Sequence, residues 1–297
     1  MRVDDTDTQY GEPVFIIGGS RTGSEMLKTM LSASPKLDFV DELFLLCPRW
    51  LHKDLATNLK QKFGRDSAAS PAEPLLEFLY SGVPYGWFWS VIAKKIDKRK
   101  LGDALQEYDT SLRGILLALM VAHSQANNKI GIGAKFPVHY SYTDKLLEWF
   151  PNCRLLHTTR NPKGVCVSQV KKHTSSAQSR LRRSFSRTQQ FVHINIQTTW
   201  TAALHQRYKD RPNYMLVKYE DVVNRPEDSV ARICDFLEVE VVPSMFRPKQ
   251  YGSSFSEIGG ASGINSSSIE RWREEILPAE EFFLDRLQGR AARTLGY

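Results

Sequence analysis

The segment PVFIIGGSRTGSEML, residues 13 to 27, constrains the fold more than any other part of the sequence. Residues 14 to 17 are an unbroken apolar run, the pattern of a short strand buried on both faces of a parallel sheet. Glycines end the run. From Ser24 the pattern changes to helical spacing, with Met26, Leu27, Met30 and Leu31 on one face and Pro35 just past the helix end. Strand, tight glycine turn and helix together form the opening unit of an α/β architecture.

The rest of the chain repeats that alternation. Strand candidates at residues 130 to 135, 154 to 159 and 214 to 218 are each followed by a helical pattern, which predicts a central parallel sheet flanked by helices with right-handed crossovers. Residues 43 to 128 read as a mainly helical insertion. It includes a long helical stretch from 103 to 127 and an aromatic cluster at Tyr85, Trp87, Phe88 and Trp89. Further helices are expected at about 187 to 209 and 226 to 237, and the Gly/Ser-rich stretch 251 to 268 predicts a mobile loop before a last helix near Ile269. Residues 1 to 12 read as a flexible tail and 13 to 297 as a single domain.

Composition bounds the function classes. With 41% hydrophobic and 25% charged residues the chain is globular rather than disordered. No stretch approaches the roughly 18 apolar residues of a membrane span, and the polar, acidic N-terminus is unlike a secretory signal, so the expectation is a cytoplasmic protein. Cys47, Cys153, Cys166 and Cys234 are too far apart for a metal-ligand motif and read as buried reduced thiols; no metal is expected. The net charge of +7 suits nucleic acid, a membrane surface or a small polyanion and does not choose among them. Part of it sits at Lys171, Lys172, Arg180, Arg182, Arg183 and Arg187, which read as a solvated face or a basic patch.

Two segments point to the polyanion. Residues 18 to 24, Gly-Gly-Ser-Arg-Thr-Gly-Ser, lie where a strand meets a helix, so backbone N–H groups and the positive helix end can converge on an anion. Arg21 offers a cation inside the turn, with the hydroxyls of Thr22 and Ser24 beside it. Gly18 and Gly23 have the spacing of a Walker A loop, but Ser24 stands where that motif has its lysine, which argues against a nucleoside triphosphatase. Farther on, RLLHTTRNPKGVCVSQVKKH runs as an apolar strand ending at Arg160, a helix start at Pro162, and Ser168 on that helix. A guanidinium fork and a hydroxyl suit a phosphate monoester.

These residues resemble the sulfotransferases that use 3′-phosphoadenosine 5′-phosphosulfate (PAPS), with signatures G-x-P-R/K-S-G-T-T and R-x-P-x5-S. The chain has Gly18 through Glu25 for the first, and Arg160, Pro162 and Ser168 for the second. It departs from the first at Ser20, Thr22, Ser24 and Glu25. GAKFPVHY, residues 133 to 140, is similar to the family's K-x-P-x-H strand end, and VKYEDVVNRPEDSV, 217 to 230, to its Y-E-D-L-x-x-x-P element.

The resemblance implies a P-loop-like sulfotransferase fold, PAPS as sulfuryl donor and an in-line transfer to a hydroxyl or amine that needs no metal. It implies that Ser20, Arg21, Thr22, Gly23, Ser24 and Glu25 hold the 5′-phosphosulfate, that Arg160 and Ser168 grip the 3′-phosphate, and that Tyr219 lies on the adenine side. Glu42 is the first candidate for the base, with Asp41 and His139 as competitors; Lys135 is a candidate for binding the transferring group or the acceptor. Asn265 and Arg271, near the Gly/Ser segment, fall where the family closes a loop over the donor. The acceptor is a small molecule, glycan or lipid that the sequence leaves open, with no nucleic acid expected. A kinase-like phosphotransferase and a basic nucleic-acid-binding protein are the alternatives. The first lacks its lysine and the second lacks a recognisable motif.

Overall fold

The computed structural model of the chain describes residues 10–41, 45–46, 55–64, 72–81, 95–174, 180–253, 256–264 and 266–297. Val14–Gly18 forms strand β1, buried throughout, and Ser24–Leu31 forms helix α1. The turn between them uses backbone that glycine adopts without strain: φ is 137° at Gly18 and 90° at Gly23. β1 joins β2 (Gly133–Lys135), β3 (Arg154–Thr159) and β4 (Tyr214–Lys218) in one parallel sheet, order β2-β1-β3-β4, flanked by helices. Two of the expected strands have the bounds the sequence predicts. The third is shorter than 130 to 135, because the Ile130 and Gly131 N–H groups both turn to the Lys36 carbonyl, at 3.2 and 2.6 Å, and Ile130 is exposed.

The chain forms two compact units that interleave in sequence, and β1 contributes to both. The first comprises Met1–Ile16 and Leu31–Arg154. Here β1 and β2 pair in the register Val14↔Gly133, Phe15↔Ala134 and Ile16↔Lys135. Parallel bridges Leu37↔Gly131 and Val40↔Ala134 carry the LDFV run beside them. Its helices are α2 (Leu55–Phe63), α3 (Ala72–Tyr80), α4 (Lys98–Glu107), α5 (Leu112–Ala126) and α6 (Thr143–Trp149). α5 is the core helix, buried from Gly114 to Ser124.

The single helical stretch expected over 103 to 127 is broken. Asp109 Oδ1 accepts the Ser111 N–H (2.8 Å), and Ser111 Oγ then caps α5 by accepting the Gly114 N–H (3.1 Å). Local side-chain hydrogen bonds have out-competed helix continuation. Tyr10, in the expected tail, is buried, and its hydroxyl accepts from Gln125 Nε2 at 2.8 Å. The aromatic cluster at 85 to 89 lies outside the described residues.

The second unit comprises Ile17–Met30 and Leu155–Tyr297. β3 and β4 pair from Leu155↔Tyr214 to Thr159↔Lys218. Around them lie α7 (Pro162–Thr174), α8 (Arg180–Tyr208), α9 (Tyr219–Asn224), α10 (Pro226–Leu237), the antiparallel pair β5 (Lys249–Ser253) and β6 (Ser256–Ser262), and then α11 (Ser267–Glu270), α12 (Trp272–Glu275) and α13 (Pro278–Thr294). Val165, Cys166, Val170, Ile194 and Leu284 form a core shared by α7, α8 and α13.

Three expectations are corrected here. α8 starts at Arg180 rather than near 187. The stretch read as a mobile loop is mostly a hairpin, paired Lys249↔Ser262, Tyr251↔Glu257 and Ser253↔Ser256; backbone pairing supplies what its Gly/Ser composition does not. The last long helix is α13, begun by Pro278 and by Glu280 Oε2, which accepts the Leu277 N–H at 3.1 Å. Cys153, Cys166 and Cys234 are buried and in no disulfide among the described residues, and burial pushes Cys166 up to about 12; Cys47 lies outside the described residues.

Candidate functional site

The turn from Gly18 to Ser24 lies wholly in the second unit, with its contacts. A Cβ at Gly18 would sit 2.4 Å from the Thr158 carbonyl oxygen, so only glycine lets β1 approach β3 there. Thr158 Oγ1 donates to the Ile17 carbonyl (3.1 Å) and lies 2.7 Å from Thr22 Oγ1, which also donates to the Gly19 carbonyl (2.7 Å). The Thr22 hydroxyl, expected to face the anion, is spent inside the turn. Ser20 is held on both sides by one side chain: its N–H donates to Gln197 Oε1 and its carbonyl accepts from Gln197 Nε2, each at 3.1 Å.

Arg21 follows with φ at 67°, the left-handed region that a non-glycine residue occupies only when its surroundings hold it. Its side chain reaches α7, where Nε donates to Ser168 Oγ at 2.8 Å. Arg160, at the end of β3, lays its guanidinium over the Tyr219 ring, 4.4 Å from the centroid. Burial lowers both arginines below the ordinary guanidinium value. The Arg160 charge lowers Arg21 further, so the two cations lie within repulsive reach of each other. Tyr219, Glu220 and Tyr297 act to raise Arg160, and Arg271 opposes them with a third positive charge. The structure thus gathers Arg21, Arg160, Ser168 and Tyr219 from four separate elements.

Ser24 is buried at the start of α1, and Glu25 beside it is paired with Lys28 at 2.7 Å. The carboxylate that departs from the sequence pattern is therefore neutralised within its own helix. Glu220, not singled out by sequence, ties the strand ends together: it accepts the Asn161 N–H (3.0 Å) and the Tyr297 hydroxyl (2.8 Å). Gln197 was missed as well. Ile194, Gln197, Thr198, Thr201 and Ala202 make a buried stripe on α8 in which polar residues stand where apolar ones are the rule, so the pattern emerges only with the burial.

Lys135, Asp41 and His139 belong to the first unit. Lys135 is fully buried in β2. Asp41 is buried and ion-paired with Lys95. His139 lies in the 3-10 helix Pro137–Tyr142, but its side chain, like Glu42 and Asn265, lies outside the described residues. Of the basic cluster, Arg187 makes a two-pronged contact with Glu280, one prong at 2.6 Å, and Lys171 lies 3.7 Å from Glu275. Among the described residues no group of three or more His, Cys, Asp or Glu is placed to hold a metal ion, and no helix is long and apolar enough to cross a membrane.

A sequence profile described as the sulfotransferase family matches residues 13–243, most of the chain and both arginine-bearing turns. The chain belongs to the sulfotransferase family. Its fold is that of solved sulfotransferase domains: one from the curacin biosynthetic pathway (18% identity, TM-score 0.60, 96% of this chain and 98% of that one) and one from the Synechococcus PCC 7002 olefin synthase (22%, 0.60, 98% and 97%). Mouse sulfotransferase SULT7A1, solved with PAP, is similar over 95% of this chain and 85% of its own at 10% identity and a TM-score of 0.50. An uncharacterized protein of Aquifex aeolicus (strain VF5) is 22% identical over 271 residues; the sulfotransferase-family chain covers 30% of that relative's length.

Proposed function

We propose that this chain transfers a sulfuryl group from PAPS to a hydroxyl or amine of an acceptor. One observation carries the reading: Arg21, which donates to Ser168, and Arg160 are both lowered by burial, and the Arg160 charge lowers Arg21 further. Two desolvated like charges cost stability unless a polyanion offsets them. A nucleotide with phosphate groups at both the 5′ and 3′ positions is such a polyanion, and the PAP in the mouse structure supports that choice.

The residues fit this donor. Arg160 and Ser168 grip the 3′-phosphate, with Tyr219 on the adenine side; Arg21, Ser20, Gly23 and Ser24 take the 5′ end, with Thr22 and Glu25 shaping the turn and helix. When bound, the donor supplies an electrophilic sulfur whose bond to the bridging oxygen breaks as a new bond forms to the acceptor. The electron pair released stays on the departing phosphate. Arg21, already desolvated, is suited to stabilise that growing charge more than the ground state. The acceptor proton goes to a base, for which Glu42 is our assignment, and Lys135 is assigned to the transferring group. His139 and Asp41 remain competitors, although the Lys95 pairing makes Asp41 a weaker base.

Calorimetry with adenosine 3′,5′-bisphosphate tests the donor, and a labelled-PAPS screen against pooled acceptors tests the transfer. Absence of both heat and thermal shift with the bisphosphate would remove the donor assignment, whereas binding accompanied by label transfer supports it. Glu42→Gln is expected to keep bisphosphate binding and to lose on the order of 10²-fold or more in turnover. Unchanged turnover would move the base elsewhere.

A further inference from the structure

We propose that Gln197 of α8 is the positioning residue of the donor turn, holding the backbone conformation that delivers Arg21; this rests on reading residues 18 to 25 as the donor cradle. The geometry is specific. A primary amide is the one neutral side-chain group that offers an acceptor and a donor side by side, and Gln197 uses both on one residue, Ser20. The neighbouring residue is Arg21 at φ 67°, a strained conformation for a non-glycine residue that persists only when over-determined. With both polar groups of Ser20 tied, the turn cannot relax by rotating the peptide before Arg21.

Gly19 shows that the turn is built around this amide. A Cβ there would lie 2.0 Å from Gln197 Nε2 and 2.2 Å from its amide carbon, so any side chain at 19 displaces Gln197. The pair Gly18-Gly19 therefore divides its duties, the first glycine for strand approach and the second for the amide. Burial adds weight to both hydrogen bonds: Gln197 is only 4% exposed, and a lost partner inside the protein is not replaced by bulk water. Arg21 in turn meets Ser168, so Gln197 acts on the reacting centre through Arg21 rather than by touching it.

Gln197→Leu removes both hydrogen bonds at similar volume, and Gln197→Glu keeps the acceptor for the Ser20 N–H while losing the donor to its carbonyl. In the ligand-free protein, hydrogen–deuterium exchange of peptides covering residues 18 to 24 should speed up in Gln197→Leu, with a smaller increase in Gln197→Glu. With PAPS and an acceptor, kcat should fall on the order of 10²-fold in Gln197→Leu, the scale of a misplaced catalytic group. The dissociation constant for adenosine 3′,5′-bisphosphate should rise far less than kcat falls, because Arg160 and Ser168 still hold the 3′-phosphate and only the 5′ end loses its fixed turn. Wild-type exchange and wild-type kcat in both variants would overturn the proposal. An equal loss of kcat and bisphosphate affinity would also overturn it, since that is the mark of general unfolding. If wild-type protein fails to bind the bisphosphate, the donor reading falls while faster exchange in the variants still upholds Gln197's hold on the turn.

Discussion

At the scale of single residues, the proposed chemistry concentrates in two partly buried arginines. Arg160 is flanked by the Tyr219 ring and by Glu220, which offset part of its burial, while Arg271 adds repulsion. An anion bound there meets a guanidinium that has already lost its hydration, so little is spent on desolvating it at the moment of binding. Arg160→Ala should weaken adenosine 3′,5′-bisphosphate binding by roughly 10- to 100-fold, the worth of a charge-assisted hydrogen bond or two. Adenosine 5′-monophosphate, lacking the 3′-phosphate, should bind wild type and variant alike. Calorimetry on both ligands checks this, and an equal loss for the two would assign Arg160 to the 5′ end. Arg160→Lys keeps the charge but gives up the planar fork and the stack on Tyr219, so partial recovery is expected.

At the scale of elements, the turn and the two strand ends act as one piece, and glycine is what lets them meet. Gly23 has φ at 90°, and a Cβ there would lie 2.5 Å from the Tyr219 ring. Gly23→Ala should lower stability by about 1–2 kcal/mol through the backbone alone. It should also weaken bisphosphate binding, because the displaced ring carries Arg160. Thermal unfolding and calorimetry on the same preparation check the two effects, and a loss of stability without a loss of affinity would disconnect Tyr219 from the anion. Much of this element was legible in sequence. An apolar run, two glycines and a change to helical spacing fix β1 and α1 locally, and the Arg160-Asn161-Pro162 step marks a strand end and a helix start. Gln197 and Glu220 were harder to read, since each is defined by a partner far away in the chain and ordinary in its own neighbourhood. The hairpin at β5 and β6 was misread for another reason: its Gly/Ser-rich strands carry no apolar alternation, and composition alone described the segment as loop. The break before α5 failed differently, because the Asp109 and Ser111 hydrogen bonds are local and their spacing could have been read as a cap.

At the scale of the whole molecule, acid stability is tied to one histidine inside the sheet that carries the Arg160 turn. His157 of β3 is completely buried, its Nδ1 lies 2.7 Å from the Tyr214 hydroxyl of β4, and its Nε2 has no hydrogen-bond partner. Burial, with a smaller push from His205, lowers it from its ordinary value to about 3. His205 Nδ1 meets the same hydroxyl at 3.2 Å, and its own value is lowered as well. The unfolded chain binds the His157 proton near pH 6.5 and the folded chain only near 3, so between these limits acid favours unfolding. Stability should be level above about pH 7 and then fall with a slope approaching 1.4 kcal/mol per pH unit from this site. His157→Leu should be less stable at pH 8, where Tyr214 loses a partner, yet show a visibly shallower decline between pH 6.5 and 4.5. Urea midpoints across that range measure both quantities. Parallel pH profiles for the two proteins would mean that His157 carries its proton in the folded state or that β3 and β4 open without global unfolding. A narrowing gap on acidification ties the stability of the unit bearing Arg21 and Arg160 to a group that plays no part in binding the donor.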